Sequence, residues 1–536
     1  MQGVERMDRE LLDAAALVGH LVPEGSMFAF LATHRGEVFP DAEFADLFPS
    51  GRGRPSLPAP VAAAVLTLQS LYDLSDAETA EAARCDLRWK VAVGMALDDK
   101  GFHPSTLTYW RQRLARSARP HRINEAVKQV VQETGIVRGR RRRAVDSTIL
   151  ADAVATQDTI TQLVSAIRRV AREVPGAAVK IAAVCSGHDY TTPGKPQIDW
   201  DDPAAKDALV SGLVNDANAL VAALDDAELD EQAQGALALL ALVAGQDVEP
   251  AEGSDGTDGR WRIARKVAAD RVISTVDPDA RHTRKSPESR RDGYRAHVAA
   301  EPGTGIITDE ELTKAAGTEN SDPAVAGRFL AAQAMEATPG SQRPTDSDTP
   351  TREWYGDSAY GTGDLRDAIA DAGQVAVIKP KPLRAAVQGG FTVDDFIVNP
   401  QAGTVTCPNG HARPISATGV ASFGARCRTC PLRQRCTTSK TGRKIVVGAH
   451  DALLRQARRD WADNPRLRED YRRHRPNVER VISQLASRGG RRLKLRYRGT
   501  ATNNAWLKRR TAALNLRNLI GRGLNRCNST WALATT

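Results

Sequence analysis

A short β-branched stretch, AVDSTIL (144–150), follows the arginine run RGRRRR and stands between two long helical blocks. The next strand-like sequence, DGYRAHVAAEP, starts at residue 292 and is followed by TGIITDEELT across Pro302, Gly303, Thr304 and Gly305. Alternation along the first of these and a Gly-rich break between them predict a hairpin. The helical pattern PAVAGRFLAAQAMEA comes next. A strand ending at Asp357 in WYGDSAYGTGDLRDAIADAG follows, then a turn, a helix and the short strand VAVIKPK. Any sheet built from these segments is interrupted after its first strand by residues 155–285, which read as helical to about 245 and polar beyond. The expected class is therefore α/β with a large helical insertion, and 536 residues suit about three or four compact units rather than one core.

Charge is segregated along the chain. From residue 441 to 536 there are 23 Lys or Arg against 6 Asp or Glu, whereas residues 201–260 hold 14 acids against 2 bases. The first segment suits a polyanionic partner and the second repels one. No run of about 18 apolar residues is available to span a bilayer, and the N-terminus, which carries acids, lacks a signal-peptide pattern. A cytoplasmic protein without a membrane partner is expected.

Residues 1 to about 135 read as helical. Ser75 and Glu78 have capping-box spacing ahead of DAETAEAARCDLRWKVAVGM, and Pro104 opens the helix of HPSTLTYWRQRL. Short helices with tight turns suggest a helix-turn-helix unit in which Arg111, Arg113 and Arg116 face phosphates. Further on, four of the seven cysteines crowd into one region: Cys407-x3-His411, then Cys427-x2-Cys430-x5-Cys436. Soft ligands at this spacing predict a structural, tetrahedral Zn2+ site of four thiolates, with His411 as a substitute ligand.

Three acids stand out. Asp146 and Asp357 occupy strand positions, and Glu479 is the one acid among ten Lys or Arg between Tyr471 and Thr500. Arg475 lies four residues before Glu479 on a helix beginning near Pro476, placed to orient the carboxylate or hold a phosphate. Hard divalent ions such as Mg2+ or Mn2+ prefer carboxylate oxygens, and phosphoryl transfer with two metals needs several acids converging from different elements. Asp277, Asp279, Asp292 and Asp364 are rivals. The first two read as turn caps, Asp292 as a residue opening a strand, and Asp364 as a helix cap.

In AVDSTIL, in DPDARHTRKS before DGYRAHVA, in YGDSAYGTGD and in RPNVER followed by LRYRG, the chain resembles the DDE transposases of bacterial insertion sequences over nearly its full length. The resemblance implies an RNase H-like core with Asp146, Asp357 and Glu479 as catalytic metal-binding acids. It also implies strand cleavage and transfer with Mg2+ at terminal inverted repeats, double-stranded DNA as partner (ends and target), and a homodimer. The family's Y-x2-R-x3-E-x6-K pattern meets Arg472 at its tyrosine and Ala486 at its lysine, with Tyr471 one residue off and Arg488 as the substitute lysine. The expected organisation is a helical DNA-binding domain (1–137), the first core segment (138–154), the helical insertion (155–285), the continued core (286–382), a small zinc-binding insertion (383–450) and a basic helical part of the core carrying the glutamate (451–536). DNA contacts are expected from Arg111, Arg113, Arg140, Arg141, Arg142, Arg143, Arg472, Arg475, Arg491, Arg492, Lys494, Arg496 and Arg498. Two other functions compete: an RNase H-like nuclease or resolvase without strand transfer, and a zinc-containing DNA-binding regulator that does not cut. Three intact acids argue against the regulator.

Overall fold

The computed structural model describes residues 1–4, 12–50, 52–225, 227–268, 270–286, 289–336 and 351–534. Its central sheet has six strands: β1 (Arg142–Ala151), β2 (Arg281–Ser286), β3 (Ser289–Ala300), β4 (Ile307–Lys314), β5 (Glu353–Gly356) and β6 (Val375–Ile378). β3 pairs antiparallel with β1, β2 and β4, while β1, β5 and β6 run parallel. In register, Asp146 stands opposite Val298 and Ala144 opposite both Ala300 and Tyr355.

Alternation along the strands sorts the side chains into two cores. Ala144, Leu150, Tyr294, Val298, Tyr355 and Val377 face the large core shared with the N-terminal helices and with the helices Pro476–Ala486 and Thr500–Ile520. Val145, Ala299, Trp354 and Ile378 face the other way, toward the helices Asp322–Glu336 and Gly363–Asp371. Between β1 and β2 the helices Thr159–Glu173, Pro203–Ala223 and Glu231–Gln246 pack around a core of their own. Asp216 stands inside it, accepting from the backbone of Ser186 and Gly187 and from the Tyr190 hydroxyl.

The acidic turn of DPDARHTRKS does more than end the insertion. Asp277 accepts from the Tyr294 hydroxyl at 2.7 Å and from Gly499 N at 3.1 Å, and Asp279 accepts from Thr500 N at 2.9 Å. Both carboxylates thus cap the start of the helix Thr500–Ile520, where unpaired N–H groups and the helix dipole favour anions. Asp292 lies inside β3 rather than at its start, bonded to His282 at 2.6 Å. Asp364 is not a cap: it sits in the first turn of its helix and pairs with His450 at 3.0 Å, while Thr362 holds the cap position.

Arg510 joins three helices. It is 2% exposed and donates five hydrogen bonds, to the carbonyls of Ser70 and Leu71, of Gln484 and Leu485, and of Ser487. Those carbonyls end the helices Ala59–Tyr72 and Pro476–Ala486, where unpaired C=O groups attract a cation. Burial pulls the guanidinium down to about 10, still charged at neutral pH.

Candidate active site and nucleic-acid surface

The Glu479 helix, Pro476–Ala486, packs against β1. Pro476 at its first turn presets the helical φ. Val478, Val481 and Leu485 recur at helical spacing and are buried, each contributing roughly 2 kcal/mol. This seating brings Arg475 beneath the sheet's carboxylates. Its Nη2 lies 3.1 Å from Asp146 Oδ2 and its Nη1 3.4 Å from Glu479 Oε1. Arg475 is almost fully buried, and its Nε has no hydrogen-bond partner among the described residues.

Asp146 also accepts from Ser147 N at 2.9 Å. Burial pushes its carboxyl above the usual range; Arg475 and the Ser147 N–H oppose this, and the charges of Asp357 and Glu479 add to it. Asp357 follows β5 directly, and its Oδ1 accepts from Ala359 N at 2.8 Å. Glu479 is the exposed member, with 65% of its side chain open. The three acids therefore come from β1, the end of β5 and a C-terminal helix, within electrostatic reach of one another. Among the described residues, however, no three His, Cys, Asp or Glu are gathered tightly enough to hold a metal ion. Carboxylates repel without a cation between them, and Arg475 stands in that place.

Tyr471 belongs to the same neighbourhood. Its half-buried phenol is raised by burial, lowered by Arg475 and raised by Asp357, Glu479 and Asp146. Tyr471, Arg475 and Glu479 follow one another at four-residue steps, a helical spacing that the family pattern, with its tyrosine one place later, conceals. Arg488 is not a substitute lysine at the acids, because its guanidinium stacks 4.9 Å above the Tyr72 ring in the N-terminal helices.

The expected DNA contacts divide by exposure. Arg111 is half-buried and closed into a bidentate pair with Asp76, bonds of 2.8 and 2.5 Å, and lies over the Tyr497 ring. Arg113 donates to Leu47 O at 2.7 Å and covers Phe48. Trp110 is core, whereas Tyr109 is exposed. Arg140, itself exposed, pairs with Glu301, Arg142 pairs with Glu353 and Tyr355, Arg143 is buried, and Arg141 is exposed. Folding thus spends much of the charge that the sequence offers to phosphates.

The C-terminal segment behaves differently. In RRLKLRYR, Leu493 and Leu495 are buried while Arg491, Arg492, Lys494, Arg496 and Arg498 are exposed, a period of two. Leu495 N donates to Ala151 O at 2.8 Å, which fastens this basic edge to the end of β1 beyond Asp146. Arg472 is exposed on the preceding helix, Pro465–His474. Arg496 is partly engaged through Asp73 O at 3.0 Å.

The cysteine-rich region forms a three-stranded sheet (Ile397–Asn399, Thr404–Thr406, Ala412–Pro414) beside a two-stranded one (Val420–Ser422, Lys444–Val446). Cys407, Cys427, Cys430, Cys436 and His411 all line one cavity of about 20 Å³, backed by Phe391, Phe396 and Phe423. All four thiols are reduced, and Cys427 and Cys436 are buried. The donor set fits a soft metal, but the closed tetrahedral centre expected from spacing is not assembled. Thiols gain little by approaching one another unless a cation is bound, since such centres form together with their metal.

Among the described residues no helix is long and apolar enough to cross a membrane. Residues 18–113 match the family described as Transposase domain (DUF772), and residues 406–520 match the family described as Transposase DDE domain. The second match contains Glu479, the cysteines and the basic segment, while Asp146 and Asp357 lie upstream of it. No curated protein and no solved structure matches the chain. Transposase families matched near both ends, with a mixed α/β fold between them, support a DNA transposase of the insertion-sequence DDE kind.

Proposed function

We propose that this transposase cuts and joins DNA at the terminal inverted repeats of an insertion sequence, using Asp146, Asp357 and Glu479 as its catalytic carboxylates. The observation that carries the reading is the bridge from Arg475 to both Asp146 and Glu479, with Asp357 in electrostatic reach at the end of the neighbouring parallel strand. Three acids from three distant segments converge on one edge, where a basic surface begins. The strand arrangement, β4-β3-β1-β5-β6 with β3 antiparallel, supports an RNase H-like core.

The carboxylates would hold Mg2+ or Mn2+, which supplies Lewis acidity at a scissile phosphodiester. Arg475 orients the two carboxylates it touches and keeps their charge compensated before DNA arrives. The exposed Arg491, Arg492, Lys494 and Arg498 hold the strand's phosphates beside the acids, and Arg472 extends that surface. The N-terminal helices supply further DNA contacts through exposed groups such as Tyr109 and Arg116, and Arg141, just before β1, adds another. Cys407, Cys427, Cys430 and Cys436 would hold a structural Zn2+ that stiffens residues 383–450, with His411 in reserve. The protein works as a homodimer on two ends, in the bacterial cytoplasm.

The test uses the element's own ends as substrate in the presence of Mg2+. Asp146→Asn, Asp357→Asn and Glu479→Gln each abolish cleavage while end binding, read by gel shift, persists. Cleavage retained by any one variant removes that residue from the site. Cleavage without joining by the wild type favours a nuclease over a transposition pathway.

A further inference from the structure

At the opposite end of the sheet from the acids lies a second charged feature. β1 and β5 are parallel, so Arg143 at the start of β1 and Arg352 just before β5 stand together at the strands' N-terminal ends. Asp146 is three residues and Asp357 five residues further along, a separation of roughly 10 to 16 Å at strand rise. Arg143 and Arg352 line a cavity of about 320 Å³ with Asp309, Gln333 and Lys128. Its floor is apolar, formed by Val131, Ile306 and Ile307, all nearly fully buried.

The charges there are not balanced internally. Lys128 is paired with Glu310 at 3.1 Å. Arg143 is 6% exposed; its Nη1 donates to the carbonyls of Arg140 and Arg142, and its Nε has no hydrogen-bond partner among the described residues. Arg352 donates to the side-chain oxygen of Gln333. Among the described residues no carboxylate lies within ion-pair distance of either guanidinium. Asp309, the acid in the wall, is occupied by Thr308 and Gln333 at 2.7 Å each, and burial pushes its carboxyl up, which lessens the negative charge it sets against an anion. Burial and the neighbouring Arg352 pull Arg143 down to about 10, and it remains cationic at neutral pH.

Two adjacent guanidiniums in a recessed cavity repel each other, and a buried cation with an unmet donor is costly. A tetrahedral oxyanion relieves both, because each guanidinium fork matches phosphate oxygens and the pair shares the charge. We propose that Arg143 and Arg352 form a phosphate-binding pocket, separate from the acids, that takes a phosphate group either from the DNA backbone or from a free nucleotide. Binding there is independent of cleavage chemistry, so Asp146→Asn leaves it intact.

The test is calorimetric titration of the full-length protein with inorganic phosphate at ionic strength held constant with chloride. Wild type shows saturable binding, and Arg352→Gln weakens it by about tenfold or more through loss of a charge-assisted partner. Gln333→Glu, which sets a carboxylate beside Arg352 without removing either cation, weakens it likewise and guards against a misfolded arginine variant. Lys180→Gln, exposed on the helical insertion, leaves it unchanged. If a short duplex abolishes phosphate binding, the source is the DNA backbone; if the duplex has no effect and AMP competes, it is a free nucleotide. A wild-type response no larger than that to chloride, or an affinity untouched by both Arg352→Gln and Gln333→Glu, overturns the proposal.

Discussion

Arg475 stands between Asp146 and Glu479, 3.1 Å from the first carboxylate and 3.4 Å from the second. The same side chain is nearly buried, so a positive charge sits fixed in the place where three acids meet. This arrangement keeps the carboxylates apart and compensated, and it accounts for the absence of a tight acid cluster among the described residues.

Replacing that charge has two opposed effects. In Arg475→Gln, Asp146 loses its cation in a mostly buried position. The fold weakens by about 2 kcal/mol, less than a fully buried pair because Glu479 is exposed. The carboxylates, left uncompensated, bind divalent cations more tightly, so Mg2+ raises the melting temperature of Arg475→Gln more than that of wild type while cleavage falls. Equal Mg2+ shifts in thermal melts would show that the guanidinium does not compete with the metal.

Arg510 ties the C-terminal helix to two helix ends through five carbonyls. Arg510→Met fills similar space but leaves those acceptors unmet, at a cost of about 3 kcal/mol. Urea unfolding measures it. Because two of the carbonyls end the Glu479 helix, cleavage declines further than stability requires. A variant as stable and active as wild type would contradict the clamp.

Purified protein is expected to contain about one zinc per chain, held by four thiolates. Chelation or Cys430→Ser lowers the melting temperature and increases proteolysis within residues 383–450, while the acids keep their response to Mg2+. Zinc content near zero by atomic absorption would end the thiolate assignment.

His297 on β3, 1% exposed, is held down to about 3 by burial, Arg295 and Arg328, which outweigh Asp322 lying 3.4 Å away. Its folded value is depressed, so its contribution to stability is complete above the ordinary value of 6.5 and is lost as pH falls toward 3. Between pH 6.5 and 5 this amounts to about 2 kcal/mol. Denaturant midpoints of wild type and His297→Gln over that interval should differ in slope, the variant being flatter; parallel curves would place the acid sensitivity elsewhere.

Much of the local structure is written in short stretches. AVDSTIL is a strand, the Pro-Gly-rich break separates β3 from β4, and Ser75 and Glu78 form both bonds of the capping box, at 3.2 and 2.7 Å. The alternation in RRLKLRYR separates buried leucines from exposed cations as period two requires. Such features depend on neighbours within a turn or a strand, and residue type and spacing suffice to specify them.

What only the tertiary structure decided is which charges meet. Arginines in the sequence look equally suited to phosphate, yet Arg111 is closed into a pair with Asp76, Arg143 is buried and Arg488 stacks on Tyr72, while Arg491 and Arg492 remain exposed. Nothing local marks Asp277 and Asp279 as caps for a helix more than 200 residues later, or Tyr471 as a neighbour of all three acids. The physical reason is common to these cases. Burial makes an unmet donor or acceptor costly, so each buried polar group takes whichever partner the packed helices and sheet bring to it, and that partner is set by the fold rather than by distance along the chain.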